Sequence, residues 1–452
     1  MISHAWARRS GPALHYQLQA KRTIFPVIVA GLGIAAGMTI IKYTARALKR
    51  IKEEDEAGVG YDESSSFPFS PEAVARVVGV DLGTSFMKIA LQNLEGDESK
   101  TVTVCESKDG RRLIPAVFYR HSSSEGSRDL QIGAIARAAR FVKPEKTLTG
   151  FVTKLNDPKS GVLKLDGEDF SVDELCQLAA ENLLSAAKDK LAVAEGKLAV
   201  AVISVPNLFS KEASERLLSA VRKAGVEPVG YLPDAVASIL GSVKVLGTRS
   251  HDISSEAGSP RTVAVVDVGG AITQLCLVTV DGRQHKLVKA VTVEVGGEAF
   301  DAAIVGYLAA EFAKGNGGLN LLEDAQAKQR LFDAAEAAKH DLATNKSTSV
   351  SVPFISASAK GPLHLNSTIS RALVEQLVSK HTAQIKADFK DLLYHGGATA
   401  PLKSVLLVGG GARMPVFHAM VREVTGGLDP IVVPAPEEVA SIGAAIGLEH
   451  LN

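Results

Sequence analysis

An apolar strand that ends in an Asp-x-Gly turn and leaves again as a second strand occurs twice in this chain, and that duplication restricts the fold more than any other feature. The first copy is Val77 to Val80, the turn Asp81-Leu82-Gly83-Thr84-Ser85, and Met87 to Leu91. The second is Thr262 to Val266, the turn Asp267-Val268-Gly269-Gly270-Ala271, and Gln274 to Val280. Each reads as a hairpin. A repeated hairpin implies two related lobes facing one cleft, and the polar, turn-rich stretch Thr248 to Arg261 separates them. Helical periodicity marks Asp173 to Leu191, Lys211 to Lys223, Phe300 to Ala313, Asp324 to Leu342 and Ser370 to Leu393. Strand runs such as Leu198 to Val205 and Ser404 to Val408 alternate with them, so the class is α/β.

Glycine-rich hairpins let backbone N–H groups approach phosphate oxygens with no side chain in the way. An aspartate at a strand end is placed to hold the waters around Mg²⁺, which keeps several of them. One Asp-x-Gly is an ordinary turn, whereas two at equivalent places form a pattern. A third element is Leu406-Leu407-Val408-Gly409-Gly410-Gly411-Ala412-Arg413, a buried strand running into glycines that admit a flat ligand, with an arginine able to stack on a base.

At 452 residues the chain suits one large two-lobed unit or two to three domains. Lysine plus arginine equals aspartate plus glutamate, 50 against 50, so no whole-chain bias points to nucleic acid. Cys105, Cys176 and Cys276 lack metal-ligand spacing and are odd in number, which reads as three buried thiols.

The basic residues are unevenly placed, because no acid precedes Glu53. Thr23 to Ile41 is uncharged, and its apolar part spans about 27 Å as a helix, near the thickness of a bilayer core. Lys21 and Arg22 flank one end; Lys42, Arg46, Lys49, Arg50 and Lys52 flank the other. A retained transmembrane helix is expected over about residues 23–41, with orientation open because both flanks are basic. Gly33 and Gly37 form a G-x-x-x-G that suits pairing with another transmembrane helix. The acid-free leader Met1 to Arg22 looks like a mitochondrial presequence region. Glu53 to Ala73 is acidic and rich in Ser, Gly and Pro, a flexible linker to the domain that begins at Val74.

From Val74 to Asn452 the sequence resembles the heat-shock protein 70 family. The matching segments are Gly79-Val80-Asp81-Leu82-Gly83-Thr84, Val202-Ile203-Ser204-Val205-Pro206, Gly296-Gly297-Glu298-Ala299-Phe300-Asp301, Leu407 to Pro415, and Ile442-Gly443-Ala444-Ala445, in the family's order. The resemblance implies the two-lobed actin-like ATPase fold, built of duplicated ribonuclease-H-like lobes, with ATP or ADP and Mg²⁺ in the cleft. Lobe I would cover about 74–261 and lobe II about 262–430, with a C-terminal return to lobe I. Carried over by position, nucleotide contacts fall on Gly83, Thr84, Ser85, Phe86, Gly269, Gly270, Ala271 and Gly297 at the phosphates. They fall on Glu336, Lys339, Gly410, Gly411, Arg413 and Glu437 at the adenosine, and Asp81 and Asp267 lie on the metal side. The family also implies J-protein or nucleotide-exchange partners. The anchor region Ala30 to Lys49 is similar to anchors of mitochondrial import-motor J-proteins, which favours a mitochondrial membrane. A chaperone-like relative lacking the peptide-binding domain is an endoplasmic-reticulum protein, which leaves that membrane as the alternative.

Several positions depart from the family pattern. Its threonine and cleft aspartate after the second turn are Ile272 and Gln274 here, and glutamine accepts no proton at neutral pH. Its cleft glutamate falls on Asp234, and its phosphate-side lysine on Val152, with Lys154 the nearest basic residue; Asp234 and Lys154 are therefore the catalytic candidates. His340 stands where an Arg or Lys is usual, and Ala343 where a Ser is. The resemblance ends with the family's nucleotide-binding domain, so no client cleft gated by ATP is expected. Three functions compete: a nucleotide-liganded co-chaperone or scaffold with weak or no hydrolysis, a slow ATPase in a chaperone or translocation cycle, and a metabolite kinase. The kinase would need an aspartate base on an alcohol, and no metabolite pocket is apparent in the sequence.

Overall fold

A computed structural model describes residues 71–95, 101–121, 130–157, 161–359 and 361–451. Contacts divide the chain into Met1–Ala73 and Val74–Asn452, and the sheets and helices of the fold belong to the second unit. The expected membrane helix at 23–41, its basic flanks and most of the acidic linker lie outside the described residues. Among the described residues no helix is long and apolar enough to cross a membrane.

Eleven strands build the two main sheets. They are β1 (Val74–Leu82), β2 (Phe86–Asn93), β3 (Val102–Val104), β4 (Ile114–Pro115), β5 (Leu198–Val205), β6 (Glu227–Pro233), β7 (Arg261–Val268), β8 (Thr273–Asp281), β9 (Gln284–Val293), β10 (Leu402–Val408) and β11 (Ile431–Val432). The first sheet runs β6-β5-β1-β2-β3, with β4 paired to β2, and the second runs β9-β8-β7-β10-β11. In each, the strand before the Asp-x-Gly turn is central, antiparallel to its hairpin partner and parallel to a distant strand, β5 or β10. Central strands covered on both faces read as unbroken apolar runs, which is why Val77, Val78 and Val80, and Val263 to Val266, show no alternation. Smaller hairpins, Val162–Leu165 with Glu168–Ser171 and Ser347–Ser358 with Gly361–Ser370, decorate the two halves.

Ten helices are described, in chain order α1 (Ala134–Ala139), α2 (Val172–Ser185), α3 (Lys211–Lys223), α4 (Asp234–Leu246), α5 (Gly297–Gly315), α6 (Ala325–Asp341), α7 (Arg371–Leu377), α8 (Ser379–His395), α9 (Pro415–Thr425) and α10 (Val439–Ile446). Ser210 caps α3 by accepting from Ala213 N at 3.1 Å, and the stripe Ala213, Leu217, Ala220, Val221 is buried. The single helix expected over Ser370 to Leu393 is two, α7 and α8, divided at Val378. The helix α4 had no visible period because every residue from Ala235 to Ser242 is buried. A helix covered all round loses its polar face.

Each sheet carries its own core. One is anchored by Phe118, Phe151 and Phe170, the other by Phe300, Phe389 and Phe417. The last helix, α10, leaves the second sheet and packs against α4, β1, β2 and β5 of the first half. Its approach requires glycine. A Cβ on Gly443 would stand 1.7 Å from the Ala237 carbonyl oxygen, one on Gly241 2.0 Å from that of Val439, and one on Gly79 2.0 Å from that of Ser441. The three cysteines are free and buried, and burial pushes the Cys176 thiol up to about 12.

Candidate functional site

The two hairpins converge. Asp81 closes β1 and Asp267 closes β7, each at the same step of its hairpin. Directly across the ladder from Asp81 stands Lys88 on β2, and directly across from Asp267 stands Gln274 on β8. These two positions are equivalent in the duplicated hairpins, and they face a third acid. That acid is Asp234, the first residue of α4, reached through Pro233 at the end of β6.

Lys88 Nζ lies 2.6 Å from Asp81 Oδ2, with both side chains largely buried. Burial lowers the Lys88 pKa, but Asp81 first and then Asp267 and Asp234 more than offset it, so the ammonium is held above its ordinary value. Burial, reinforced by Asp81, pushes Asp234 up to about 7. Burial likewise raises Asp267 to about 6, with Lys88 pulling the other way. Three carboxylates therefore share one buried cation.

Gln274 is held at both ends of its amide. Its Oε1 accepts from Asn207 Nδ2 at 2.9 Å and Asn207 N at 3.3 Å, and its Nε2 donates to Asp234 Oδ2 at 3.3 Å. Asn207 Oδ1 accepts from Ala235 N at 2.9 Å, and the Ser204 hydroxyl donates to Asp234 Oδ1. The amide thus bridges the second sheet to the first. Neighbouring Thr273 faces the opposite way, fully buried and donating to the Val295 carbonyl at 2.7 Å, as strand alternation requires. Ile272 is half-buried, and Val152 belongs to the first core. Lys154 stands exposed on the turn Val152–Asn156, outside the charge cluster.

The glycine loops meet beside this cluster. A Cβ on Gly270 would lie 2.5 Å from Ser85 Oγ, so the turns of the two hairpins touch there. Ser85 Oγ donates to Glu298 Oε1 at 3.0 Å. Gly297 N and Glu298 N, at the start of α5, donate to the Gly269 and Gly270 carbonyls at 2.9 and 2.8 Å. Those carbonyls are turned toward α5. Gly83 and Thr84 stay half-buried in the first turn, Phe86 lies under the Arg137 guanidinium at 5.1 Å, and Ala271 is exposed. Gly409 has a φ of +77°, and a Cβ there would come 2.3 Å from Asp267 Oδ1.

On the far side, Glu336 and Lys339 do not form a free surface pair on α6. Glu336 accepts from Arg137 at 2.8 Å across the cleft, and Lys339 lies 2.7 Å from Asp301 Oδ1 while donating to Gly297 O at 3.1 Å. Arg413 is paired with Glu437 and donates to the Pro434 carbonyl at 3.1 Å. Gly410 and Gly411 start the turn that presents it. A small, largely apolar pocket opens here between Lys339, Leu342, Ala343 and Met414. His340, standing where an Arg or Lys is usual, is lowered in pKa by burial and then by Lys339.

The site thus consists of a glycine-lined junction of two hairpins beside a cluster of buried charge, a backbone arrangement of the kind that admits phosphate oxygens. The family model for Hsp70 protein matches residues 150–451. This chain belongs to the heat-shock protein 70 family. "Heat shock 70 kDa protein 7, chloroplastic" of Arabidopsis thaliana is 30% identical over 411 residues, which is 85% of this chain and 54% of that protein. The chain thus spans about half the length of that curated relative. The mixed α/β architecture with its two five- and six-stranded sheets is consistent with the actin-like ATPase domain of Hsp70 proteins.

The Hsp70 family binds ATP or ADP together with Mg²⁺. On the phosphate side, Gly270 and Gly296 keep the loop junction clear of Cβ atoms, the feature by which such turns present backbone N–H groups to a phosphate. The metal side does not fit as it stands: Asp81 Oδ2 is already paired with the Lys88 ammonium at 2.6 Å. Sequence reasoning did not single out Lys88, Asn207 or Arg137. A signal existed for the first: Lys88 is the one charged residue of β2, inserted between buried Met87 and Ile89.

Proposed function

We propose that this Hsp70 chain binds an adenine nucleotide, hydrolyses it weakly or not at all, and acts as a membrane-anchored co-chaperone or scaffold. The observation that carries the reading is Gln274. Where the family pattern has a carboxylate, this chain has an amide whose oxygen and nitrogen are both committed, to Asn207 and Asp234. It takes no proton, and its oxygen, already accepting twice from Asn207, is not free to accept from a water. Phosphoryl transfer depends on positioned groups and charge stabilisation, and losing one such group typically costs about 10² to 10³ in rate. Ile272 removes a hydroxyl from the same turn, and Val152 leaves the core side of its turn without an ammonium.

The test has two arms on the domain Val74–Asn452: titration calorimetry with ATP and ADP, and single-turnover hydrolysis of bound ATP beside the double variant Ile272→Thr/Gln274→Asp. The expected result is binding by both proteins and faster turnover by the variant alone. Turnover by the unmodified domain at the rate of an ordinary family member would replace the reading with a slow ATPase of a chaperone cycle.

Membrane anchoring rests on the uncharged run Thr23 to Ile41 with basic residues on both sides. A mitochondrial membrane is favoured by the acid-free leader. The partners of such a protein are a J-protein or nucleotide-exchange factor, or another transmembrane helix at Gly33 and Gly37. The full chain is expected to stay with membranes in alkaline carbonate, and its release would remove the anchor.

A further inference from the structure

We propose that the Lys88 ammonium is a built-in counter-cation that replaces the divalent metal, so that the nucleotide is held in this cleft without one. The inference rests on the nucleotide-binding reading above.

The geometry comes from the duplication itself. In each hairpin the residue across the ladder from the turn aspartate points with it into the cleft. In the second hairpin that residue is Gln274, neutral and tied to Asn207 and Asp234. In the first it is Lys88, whose Nζ touches Asp81 at 2.6 Å. Asp234 and Asp267 are its other electrostatic partners, so one ammonium serves the whole acidic cluster. It also adjoins the first glycine turn: the position of a Cβ on Gly83 is 3.6 Å from Nζ. From there a phosphate oxygen in the cradle is within reach of the same charge.

A polyanion entering beside three carboxylates requires positive charge at their junction. A divalent ion would supply it by binding carboxylate oxygens directly or through waters. Here Asp81 Oδ2 already has a cation, and a metal added beside it would set like charges side by side in a largely buried place. The tethered ammonium offers three donors to carboxylates and phosphate together. Attached to a central hairpin, it costs no capture of a free ion and no chelator removes it.

Two experiments on the domain Val74–Asn452 test this. In the first, ADP affinity is measured in excess EDTA and in Mg²⁺, for the unmodified domain and for Lys88→Met and Lys88→Arg. The unmodified domain and Lys88→Arg are expected to bind equally in both buffers. Lys88→Met is expected to lose about tenfold or more in EDTA, the scale of a lost charged hydrogen bond, and to recover in Mg²⁺. In the second, Mn²⁺ is titrated without nucleotide and followed by electron paramagnetic resonance. The unmodified domain is expected to show no tight Mn²⁺ site, and Lys88→Met to gain one. Loss of ADP binding by the unmodified domain in EDTA overturns the proposal, as does a tight Mn²⁺ site in it. Both of those measurements need no variant, so they decide even if Lys88→Met does not fold. Absence of ADP binding in every buffer would instead sink the nucleotide reading, and the Mn²⁺ titration would then decide alone whether Lys88 excludes a metal.

Discussion

Asp234 occupies the first residue of a helix, where a negative charge is normally favoured. Burial and the nearby Asp81 outweigh that and raise it to about 7. A carboxyl raised in the folded state binds its proton more tightly there than in the unfolded chain. Its unfavourable charge is absent below the unfolded pKa of about 4 and complete only above the folded value. Stability of the nucleotide-free domain should therefore rise as pH falls from 8 toward 5, and Asp267, raised to about 6, acts in the same direction. Urea midpoints across that range check it, and Asp234→Asn is expected to flatten the trend. A profile that is already flat in the unmodified domain would contradict the assignment. Gln274 gives a second prediction at this scale. Gln274→Leu removes the partner of Asn207 and of one Asp234 oxygen, both half-buried, a loss of about 1 kcal/mol in chemical denaturation. Equal stability of the variant would show that water takes over both groups.

Among the elements, the crossing of α4 and α10 is the one most tightly constrained. Gly241 and Gly443 bring the two helix backbones together, and α10 in turn lies against Gly79 of β1. The sequence motif Ile442-Gly443-Ala444-Ala445 therefore has a steric reason, since any Cβ on Gly443 would enter the Ala237 carbonyl. Gly443→Ala is expected to cost about 3 kcal/mol, at the upper end for overpacking, because backbone rather than a flexible side chain must move. The denaturation midpoint should fall with an unchanged slope. A loss below about 1 kcal/mol would mean that α10 can shift away from α4 freely. Gly410 makes the contrast, because a Cβ there meets nothing within 4 Å, so Gly410→Ala should leave stability nearly unchanged.

In the whole molecule, the two halves are clasped around the cleft by more than the charge cluster. Phe141 and Phe332 stack at 4.1 Å between ring centres, with the Arg140 guanidinium 4.5 Å over the Phe141 ring. Arg137 reaches Glu336 and Arg140 reaches Glu298 across the same gap. Such an aromatic pair is worth about 0.5–1.5 kcal/mol beyond its buried area. If it gates the cleft, Phe332→Ala should speed release of a bound adenine nucleotide by about twofold to tenfold, measured by stopped-flow displacement. An unchanged release rate would leave the stack a purely structural contact.

The chain's own order of residues determined the two strand–turn–strand units, their buried central strands and most of the amphipathic helices. Each of these depends on neighbours within a few positions: apolar runs, glycine turns and serine caps such as Ser210. The sequence could also show that Gln274 and Ile272 depart from the family pattern. It could not show what the departures touch. Helix α4 carried no period to read, because Ala235 to Ser242 is covered on every side by other parts of the chain. Lys88 looked like one charge in an apolar strand until the second hairpin and α4 brought Asp267 and Asp234 to it. Gln274 looked like a simple loss until Asn207 was found holding its oxygen. Charge and hydrogen bonding between distant segments act through space, and only the tertiary structure decided which carboxylates would have to share one cation.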